Sequence, residues 1–194
     1  MMSLSTLLSA FGVLFLAELG DKTQLVAMSL AHRHRPLPVL LGIGTAFLVL
    51  NILAVAVGGA LYQFLPEHWI LIGAGLLFLA FGVHIWREGA DEEEVAEEVA
   101  ARGGLRVALA SFGLIFVAEL GDKTQLALVA MVAATGEPLA VFVGGTLALW
   151  LVSLLGVLVG ATVLRRLPAH WVHRSAALLF FAFGGWALVR AVGL

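Results

Sequence analysis

The sequence contains no cysteine and has few charged residues. The lack of cysteine excludes disulfide bonds, thiolate nucleophiles, zinc–thiolate sites and iron–sulfur clusters. Charged side chains make up 12% of the 194 residues, about half of the roughly 25% that is usual in soluble domains. With 11 basic and 13 acidic residues the net charge is −2, which leaves no basic surface for nucleic acid. A soluble domain of this length needs more polar surface than these residues supply.

Apolar residues dominate the rest of the chain, at 61% of the composition and a mean hydropathy of +1.04. A membrane-spanning helix needs about 20 predominantly apolar residues. Six segments meet this requirement, with prolines at the joints between them: residues 4–31, 38–63, 68–87, 105–134, 138–164 and 170–192. We therefore predict an all-α polytopic membrane protein with six transmembrane helices.

The chain carries an internal repeat. FGVLFLAELGDKTQL at residues 11–25 and FGLIFVAELGDKTQL at residues 112–126 are identical at 12 of 15 positions, at an offset of 101. Further on, LPEHW at residues 65–69 matches LPAHW at residues 167–171, at an offset of 102. One residue is therefore inserted between these stretches, and the similarity extends over three helices.

The repeat divides the chain into two halves of three helices each. We predict a first repeat at residues 1–87, a linker at residues 88–104 and a second repeat at residues 105–194. Because three is odd, the second half enters the membrane from the opposite side, and the halves form inverted repeats, a plan common among secondary transporters. The linker is acidic and holds seven of the 13 acidic residues: Glu88, Asp91, Glu92, Glu93, Glu94, Glu97 and Glu98.

The arginine residues predict the orientation in the membrane. Only Arg190 lies on one side of the six-helix topology, and eight lie on the other: Arg33, Arg35, Arg87, Arg102, Arg106, Arg165, Arg166 and Arg174. By the positive-inside rule the eight-arginine side is cytoplasmic. The acidic linker is then cytoplasmic and both termini lie outside. The N-terminal segment lacks the basic stretch of a cleaved signal peptide, so we expect it to belong to the mature chain.

The octapeptide ELGDKTQL occurs twice, at residues 18–25 and 119–126, near the middle of an apolar segment each time. Each charge at that depth costs about 2.5–3.5 kcal/mol, and the combined cost of six charges is too large to be incidental. Oxygen ligands suit calcium, manganese or magnesium. The candidate metal ligands are Glu18, Asp21, Glu119 and Asp122.

Other residues of the motif are candidates for supporting roles. On an ideal helix Glu18, Asp21 and Lys22 share one stripe, with Gln24 at its edge. Thr23 points away, so its hydroxyl joins the site only if the helix unwinds, and Gly20 permits the backbone conformation that such a break needs. Both glycines of the motif, Gly20 and Gly121, are predicted hinges. The predicted supporting residues are Lys22, Thr23, Gln24, Lys123, Thr124, Gln125, Asn51 and Ser153. Thr45 and Thr146 are aligned as equivalent packing residues.

The charge balance of the motifs suggests an exchange reaction. Four carboxylates and two lysines leave two negative charges, which one divalent cation neutralises. Bare carboxylates are costly in the membrane, so protons should bind when the metal leaves. We therefore predict a divalent cation:proton antiporter, not an enzyme. The alternatives are a divalent cation channel or uniporter, an intramembrane metal-dependent hydrolase, and a purely structural ion-pair network.

The signature Glu–hydrophobic–Gly–Asp–Lys–Thr, once in each three-helix repeat, resembles the transmembrane protein 165 family over essentially the whole chain. That resemblance implies a small calcium/manganese:proton exchanger in which Glu18, Asp21, Glu119 and Asp122 bind the cation. It also implies that the protein exports manganese, as bacterial members do. The expected location is the cell (inner) membrane. We expect Mn²⁺ or Ca²⁺ and H⁺ as transported ions, membrane lipid as surroundings and no bound cofactor. Oligomeric state is left open.

Overall fold

The computed structural model describes residues 3–87, 103–164 and 169–193. Helices are the only regular secondary structure in these ranges. The eight helices are α1 (Leu4–Glu18), α2 (Lys22–Arg33), α3 (Pro36–Phe64), α4 (Glu67–Arg87), α5 (Gly104–Glu119), α6 (Lys123–Thr135), α7 (Pro138–Leu164) and α8 (Ala169–Val192). The predicted acidic linker falls almost entirely on residues 88–102, outside the described part of the chain.

Eight helices replace the six predicted segments because the first segment of each copy is broken. The segment at residues 4–31 becomes α1 and α2, and the segment at residues 105–134 becomes α5 and α6. Helices α5 and α6 meet at an angle of 68°. The remaining four segments are single helices, and prolines begin α3 and α7, where the missing backbone N–H has no helical partner to lose.

Length and hydropathy identify which described helices can cross a membrane. Four qualify alone: Pro36–Phe64, Glu67–Arg87, Pro138–Leu158 and Arg174–Val192. The bent pair α5–α6 makes a fifth span if it is counted as one, and α1 is a shorter apolar helix. Large apolar side chains such as Leu105 and Val192 are exposed on the outer surface, at 75% and 88%, as expected for a surface that faces lipid.

Helices from the two copies pack on each other in a reciprocal manner. Helix α3 packs on α5, and α7 packs on α1. A Cβ atom at Gly42 of α3 would overlap the carbonyl oxygen of Ala108 in α5, and one at Gly144 of α7 would overlap that of Leu7 in α1. Gly42 and Gly144 are 102 residues apart, whereas Leu7 and Ala108 are 101 apart. The inserted residue therefore lies before Gly144, between the motif and α7.

The last helices of the two copies, α4 and α8, form an antiparallel pair. Near one end Glu67 is paired with Arg190 at 3.0 Å, and near the other the guanidinium of Arg174 lies 5.6 Å from the ring centroid of Trp86. Between these ends the rings of Phe78 and Phe180 lie 5.3 Å apart. These two phenylalanines are equivalent in the aligned copies, so like residues meet at the centre of the pair.

Candidate cation-binding site

Both copies of ELGDKTQL form the break between two helices. Helix α1 ends at Glu18 and α2 begins at Lys22, and α5 and α6 end and begin at the matching residues. Gly20 and Gly121 have φ angles of 85° and 84°, in the left-handed region that a side chain disfavours. The break predicted at these glycines is therefore present in the structure, while their action as hinges stays a prediction.

The glutamine of each motif stabilises the broken backbone. The backbone N–H of Gly20 donates to Oε1 of Gln24 at 2.6 Å, and that of Gly121 donates to Oε1 of Gln125 at 2.5 Å. A helix break leaves backbone groups without helical partners, so these side-chain amides replace the missing acceptors. The Gln24 amide also donates to the carbonyl oxygen of Val152 in α7, at 3.3 Å. Each motif glutamine thus accepts a hydrogen bond from the backbone at the break, a role that sequence analysis did not assign to it.

The threonine of each motif faces the glutamate that ends the preceding helix. Thr23 Oγ1 donates to Oε1 of Glu18 at 2.5 Å, and Thr124 Oγ1 donates to Oε2 of Glu119 at 3.3 Å. Both glutamates are buried, at 1% and 3% exposure. The expected single stripe of Glu18, Asp21 and Lys22 on one straight helix is wrong, because the chain breaks between Glu18 and Lys22. The side chain of Lys22 lies outside the described part of the structure.

An ion pair joins the two copies. Nζ of Lys123, at the start of α6, pairs with Oδ2 of Asp21, which lies in the first break. The two side chains are 18% and 16% exposed, so the pair is largely withdrawn from water. The carboxyl of Glu119 lies close enough to those of Glu18 and Asp21 for their charges to interact. Charged groups from both motifs therefore share one region of the protein.

The four predicted ligands do not form a compact metal cluster. Among the side chains that the structure describes, no three acidic or histidine residues are grouped in a way that could hold a metal ion. Asp122 precedes α6 as its N-cap residue with extended backbone and is half-buried. The structure thus brings all four predicted ligands and Lys123 near enough for their charges to interact, but it does not group three of the carboxylates around a point that could hold a metal ion.

The polar residues of α3 and α7 have separate partners. Nδ2 of Asn51 donates to Oγ1 of Thr146 at 2.9 Å, and Oγ of Ser153 donates to the carbonyl oxygen of Leu149 at 2.7 Å. The offset of 102 at Gly42 and Gly144 makes Asn51 equivalent to Ser153, as expected. The same offset shows that the equivalence of Thr45 and Thr146 was wrong, because the inserted residue lies before α7 in the second copy and shifts the whole of α7 by one position. Thr146 is therefore a partner of Asn51 that sequence analysis missed.

A small cavity lies beside Glu18, between α2, α3 and α7. Its volume is about 10 Å³, and its lining residues are Glu18, Thr23, Gln24, Ala27, Ile43, Phe47, Val152 and Ser153. A cavity of about this size holds one water-sized particle. Oε2 of Glu18 is buried and has no hydrogen-bond partner among the described residues. One carboxylate oxygen of the motif is therefore left unpaired beside a space that fits a single small ligand.

Comparison with known protein families finds the same family in both copies of the repeat. A protein family described as "Divalent cation/proton antiporter GDT1" matches residues 6–93 and again residues 107–193. The chain belongs to the GDT1 family. This membership confirms the resemblance inferred from the sequence. GDT1 is a family of cation/proton antiporters and not a class of enzymes, and its two matched ranges coincide with the two copies of the repeat.

Several GDT1 relatives are similar over most of the chain. A GDT1-like protein of Synechocystis sp. is 34% identical, covering 86% of this chain and 88% of the relative. A Vibrio cholerae protein named "Putative manganese exporter" is 32% identical, covering 91% and 87%. The divalent cation/proton antiporter GDT1 of Saccharomyces cerevisiae is 28% identical, covering 93% and 82%. No solved structure matches the chain.

Proposed function

We propose that this chain exchanges a divalent cation, Mn²⁺ or Ca²⁺, for protons across the cytoplasmic membrane. The observation that carries the proposal is the ion pair between Asp21 and Lys123, which joins the two copies of one acidic motif. A site built from both copies can be exposed first by one set of helices and then by the other. Family membership supports cation/proton antiport as the class of reaction.

The chemistry of the motif residues suits such an exchange. Glu18 and Glu119 are buried carboxyl groups, and a bare carboxylate without a counter-charge is costly in the membrane. A divalent cation or protons can each supply the missing positive charge. Because both compete for the same oxygens, binding of one favours release of the other, and the downhill movement of one ion drives the other uphill.

Alternating access around the two breaks follows from an inverted-repeat arrangement, which we infer from the packing. The reciprocal contacts of α1 with α7 and of α3 with α5 are those expected of halves related by a two-fold axis. The central contact of Phe78 with its equivalent Phe180 supports the same axis. Transporters of this plan place their substrate at broken helices near the bilayer midplane. Glu18, Asp21, Glu119 and Asp122 are the proposed cation ligands.

Manganese export is the proposed physiological direction. A relative that is 32% identical is named "Putative manganese exporter", and eight of the nine arginines lie on the side assigned to the cytoplasm. With that orientation, both termini lie outside and the acidic linker is cytoplasmic. The cysteine-free sequence allows a direct test with single-cysteine variants in intact cells. An impermeant maleimide should label Gln63→Cys but not Arg35→Cys, and the opposite pattern would contradict the orientation.

Sealed proteoliposomes with a pH-sensitive dye inside test the transport reaction. Manganese or calcium added outside should move protons in wild-type vesicles. Glu18→Gln and Glu119→Gln should abolish this movement, since each removes one buried carboxylate. Glu67→Gln is the matched control, because it makes the same chemical change at an exposed carboxylate paired with Arg190.

The same vesicles distinguish the alternatives. Metal entry without proton movement would contradict antiport and favour a channel or uniporter. Conversion of an added phosphate ester or peptide without metal movement would favour a hydrolase. If Glu67→Gln lost activity as fully as Glu18→Gln, the loss would reflect general damage and the assignment of the buried glutamates would fail.

A further inference from the structure

The cavity beside Glu18 combines one unpaired carboxylate oxygen with two hydroxyl groups. Oε1 of Glu18 accepts from Thr23, while Oε2 is buried with no hydrogen-bond partner among the described residues. Ser153 in α7 lines the same cavity from the opposite copy of the repeat. A buried polar atom without a partner lowers the stability of the fold. A ligand small enough to enter the cavity would supply the partner that Oε2 lacks.

Hydrogen-bond directions determine which kind of ligand fits. The hydroxyl of Thr23 donates to Glu18, and that of Ser153 donates to the carbonyl oxygen of Leu149 at 2.7 Å. Each hydroxyl has only one proton to donate, so both oxygens keep lone pairs for a positively charged ligand. Ser153 cannot donate to Oε2 of Glu18 while it donates to Leu149. Oε2 of Glu18 and the two hydroxyl oxygens therefore offer acceptors, which suits a cation.

We propose that this cavity binds one dehydrated divalent cation and that Ser153 Oγ is a ligand that helps to set cation specificity. This inference rests on the proposed antiport and extends it to a residue outside the duplicated motif. The cavity volume of about 10 Å³ has room for one water-sized particle, so the ion enters without its full hydration shell. Oxygen ligands from Glu18, Thr23 and Ser153 replace lost water and favour hard cations.

The two copies of the repeat do not offer the same oxygen ligands beside their buried glutamates. Asn51 occupies the position in α3 that matches Ser153 in α7, but its amide donates to Thr146. In the second motif, Thr124 is 3.3 Å from Glu119, compared with 2.5 Å between Thr23 and Glu18. The first motif thus has the tighter arrangement of oxygens, and it is the one that the cavity adjoins.

Substitution of sulfur for oxygen at the proposed ligand tests direct coordination. Ser153→Cys replaces a hard oxygen with a soft sulfur, which favours Cd²⁺ over Mn²⁺ or Ca²⁺. In proteoliposomes loaded with a pH dye, the ratio of KM for Mn²⁺ to KM for Cd²⁺ should rise about tenfold relative to wild type, equivalent to about 1.4 kcal/mol. A role in packing alone would not produce a preference for a soft metal.

Ser153→Ala provides a second test with a smaller side chain. It should raise KM for Mn²⁺ about tenfold, equivalent to about 1.4 kcal/mol, and leave the number of protons moved per metal as in wild type. Ser111 gives the matched controls, because it is a buried serine in α5 that does not line the cavity. Its hydroxyl has no hydrogen-bond partner among the described residues. Ser111→Ala and Ser111→Cys should keep the wild-type KM values for Mn²⁺ and Cd²⁺.

The outcomes separate this inference from the proposed antiport. If wild-type vesicles move no protons when metal is added, antiport itself fails. If wild type exchanges normally and both Ser153 variants keep its KM values for Mn²⁺ and Cd²⁺, the serine is not a ligand and the inference is overturned. Equal shifts in the Ser153 and Ser111 variants would likewise overturn it, because the effect would not depend on the cavity.

Discussion

Asp21 and Lys123 form an ion pair across the two copies of the repeat. Asp21 lies in the break between α1 and α2, and Lys123 begins α6, so the pair connects the two broken helices directly. The side chains are 16% and 18% exposed, which leaves little water to screen the attraction. Each motif therefore contributes a charge to the environment of the other, and the breaks are coupled electrostatically.

A double-mutant cycle should measure this coupling. Asp21→Asn and Lys123→Gln, singly and together, are expected to give a coupling energy of about 1–3 kcal/mol in the free energy of unfolding, because each single change leaves a partly buried charge unpaired. The exposed pair Glu67–Arg190 should give about 0.2–1 kcal/mol. Unfolding by denaturant in mixed detergent micelles provides the measurement. Equal coupling energies for the two pairs would contradict a specific link between the motifs.

Alanine at the motif glycines should destabilise the protein through backbone conformation alone. Beyond the chain neighbours of each glycine, no described residue has an atom within 4 Å of a Cβ added at Gly20 or Gly121. Their φ angles of 85° and 84° are nevertheless costly for alanine, by about 1–2 kcal/mol each. Gly73→Ala is the control: Gly73 lies within α4, and no described residue outside its own helical turn lies within 4 Å of the new Cβ. That change should stabilise the helix by about 0.5–1 kcal/mol.

Thermal unfolding in detergent, with helix content as the signal, checks both expectations. Gly20→Ala and Gly121→Ala should lower Tm, whereas Gly73→Ala should not. Unchanged Tm in both motif variants would mean that the breaks tolerate a side chain, and the requirement for left-handed backbone would then be wrong.

Much of the fold could be predicted from composition and repetition. Six apolar segments of the right length located the helical parts of the chain but not the division of two of them into helix pairs. The glycines before the two aspartates predicted the breaks at Gly20 and Gly121. The alignment of α3 with α7 could not be predicted from the sequence, because the inserted residue lies in a stretch where the two copies have little sequence identity. Only the contacts of Gly42 with α5 and of Gly144 with α1 located it, and these contacts corrected the equivalence of Thr45.

The candidate site was predictable in its residue types but not in its connections. Charge at mid-membrane identified Glu18 and Asp21 without a structure, since burial of charge is costly. The sequence could not reveal which polar atoms were already satisfied. Gln24 bonds the backbone of Gly20, and one oxygen of Glu18 is unpaired. Such pairing depends on how the chain turns at the break, which helical periodicity does not describe.

The threonines of the two motifs should differ in importance. Thr23 is 2.5 Å from Glu18, whereas Thr124 is 3.3 Å from Glu119, and shorter hydrogen bonds to a carboxylate are the stronger ones. Thr23→Val should therefore raise KM for Mn²⁺ in proteoliposomes more than Thr124→Val does, by about tenfold against about threefold. Thr23→Ser, which keeps the hydroxyl, should stay close to wild type. A larger effect at Thr124 would reverse the assigned asymmetry.

Close approach of helices from different copies should make Gly42 and Gly144 sensitive to any side chain. A Cβ at either position would overlap a backbone carbonyl, of Ala108 or Leu7 respectively, and backbone cannot move aside as a flexible side chain can. Gly42→Ala and Gly144→Ala should each cost about 1–3 kcal/mol of unfolding free energy, the range for overpacking. Gly59→Ala in α3 is the control, because no described residue outside its own helical turn lies within 4 Å of the new Cβ, and it should not lower the free energy of unfolding.

These two costs also test the relation between the copies. If α3–α5 and α7–α1 are symmetry-related interfaces, Gly42→Ala and Gly144→Ala should destabilise by similar amounts in detergent unfolding. They should also slow metal-driven proton movement, because α5 and α1 carry Glu119 and Glu18 at their ends and displaced helices carry these carboxylates with them. A large cost at one glycine and none at the other would show that the two interfaces are not equivalent and would contradict a two-fold relation between the halves.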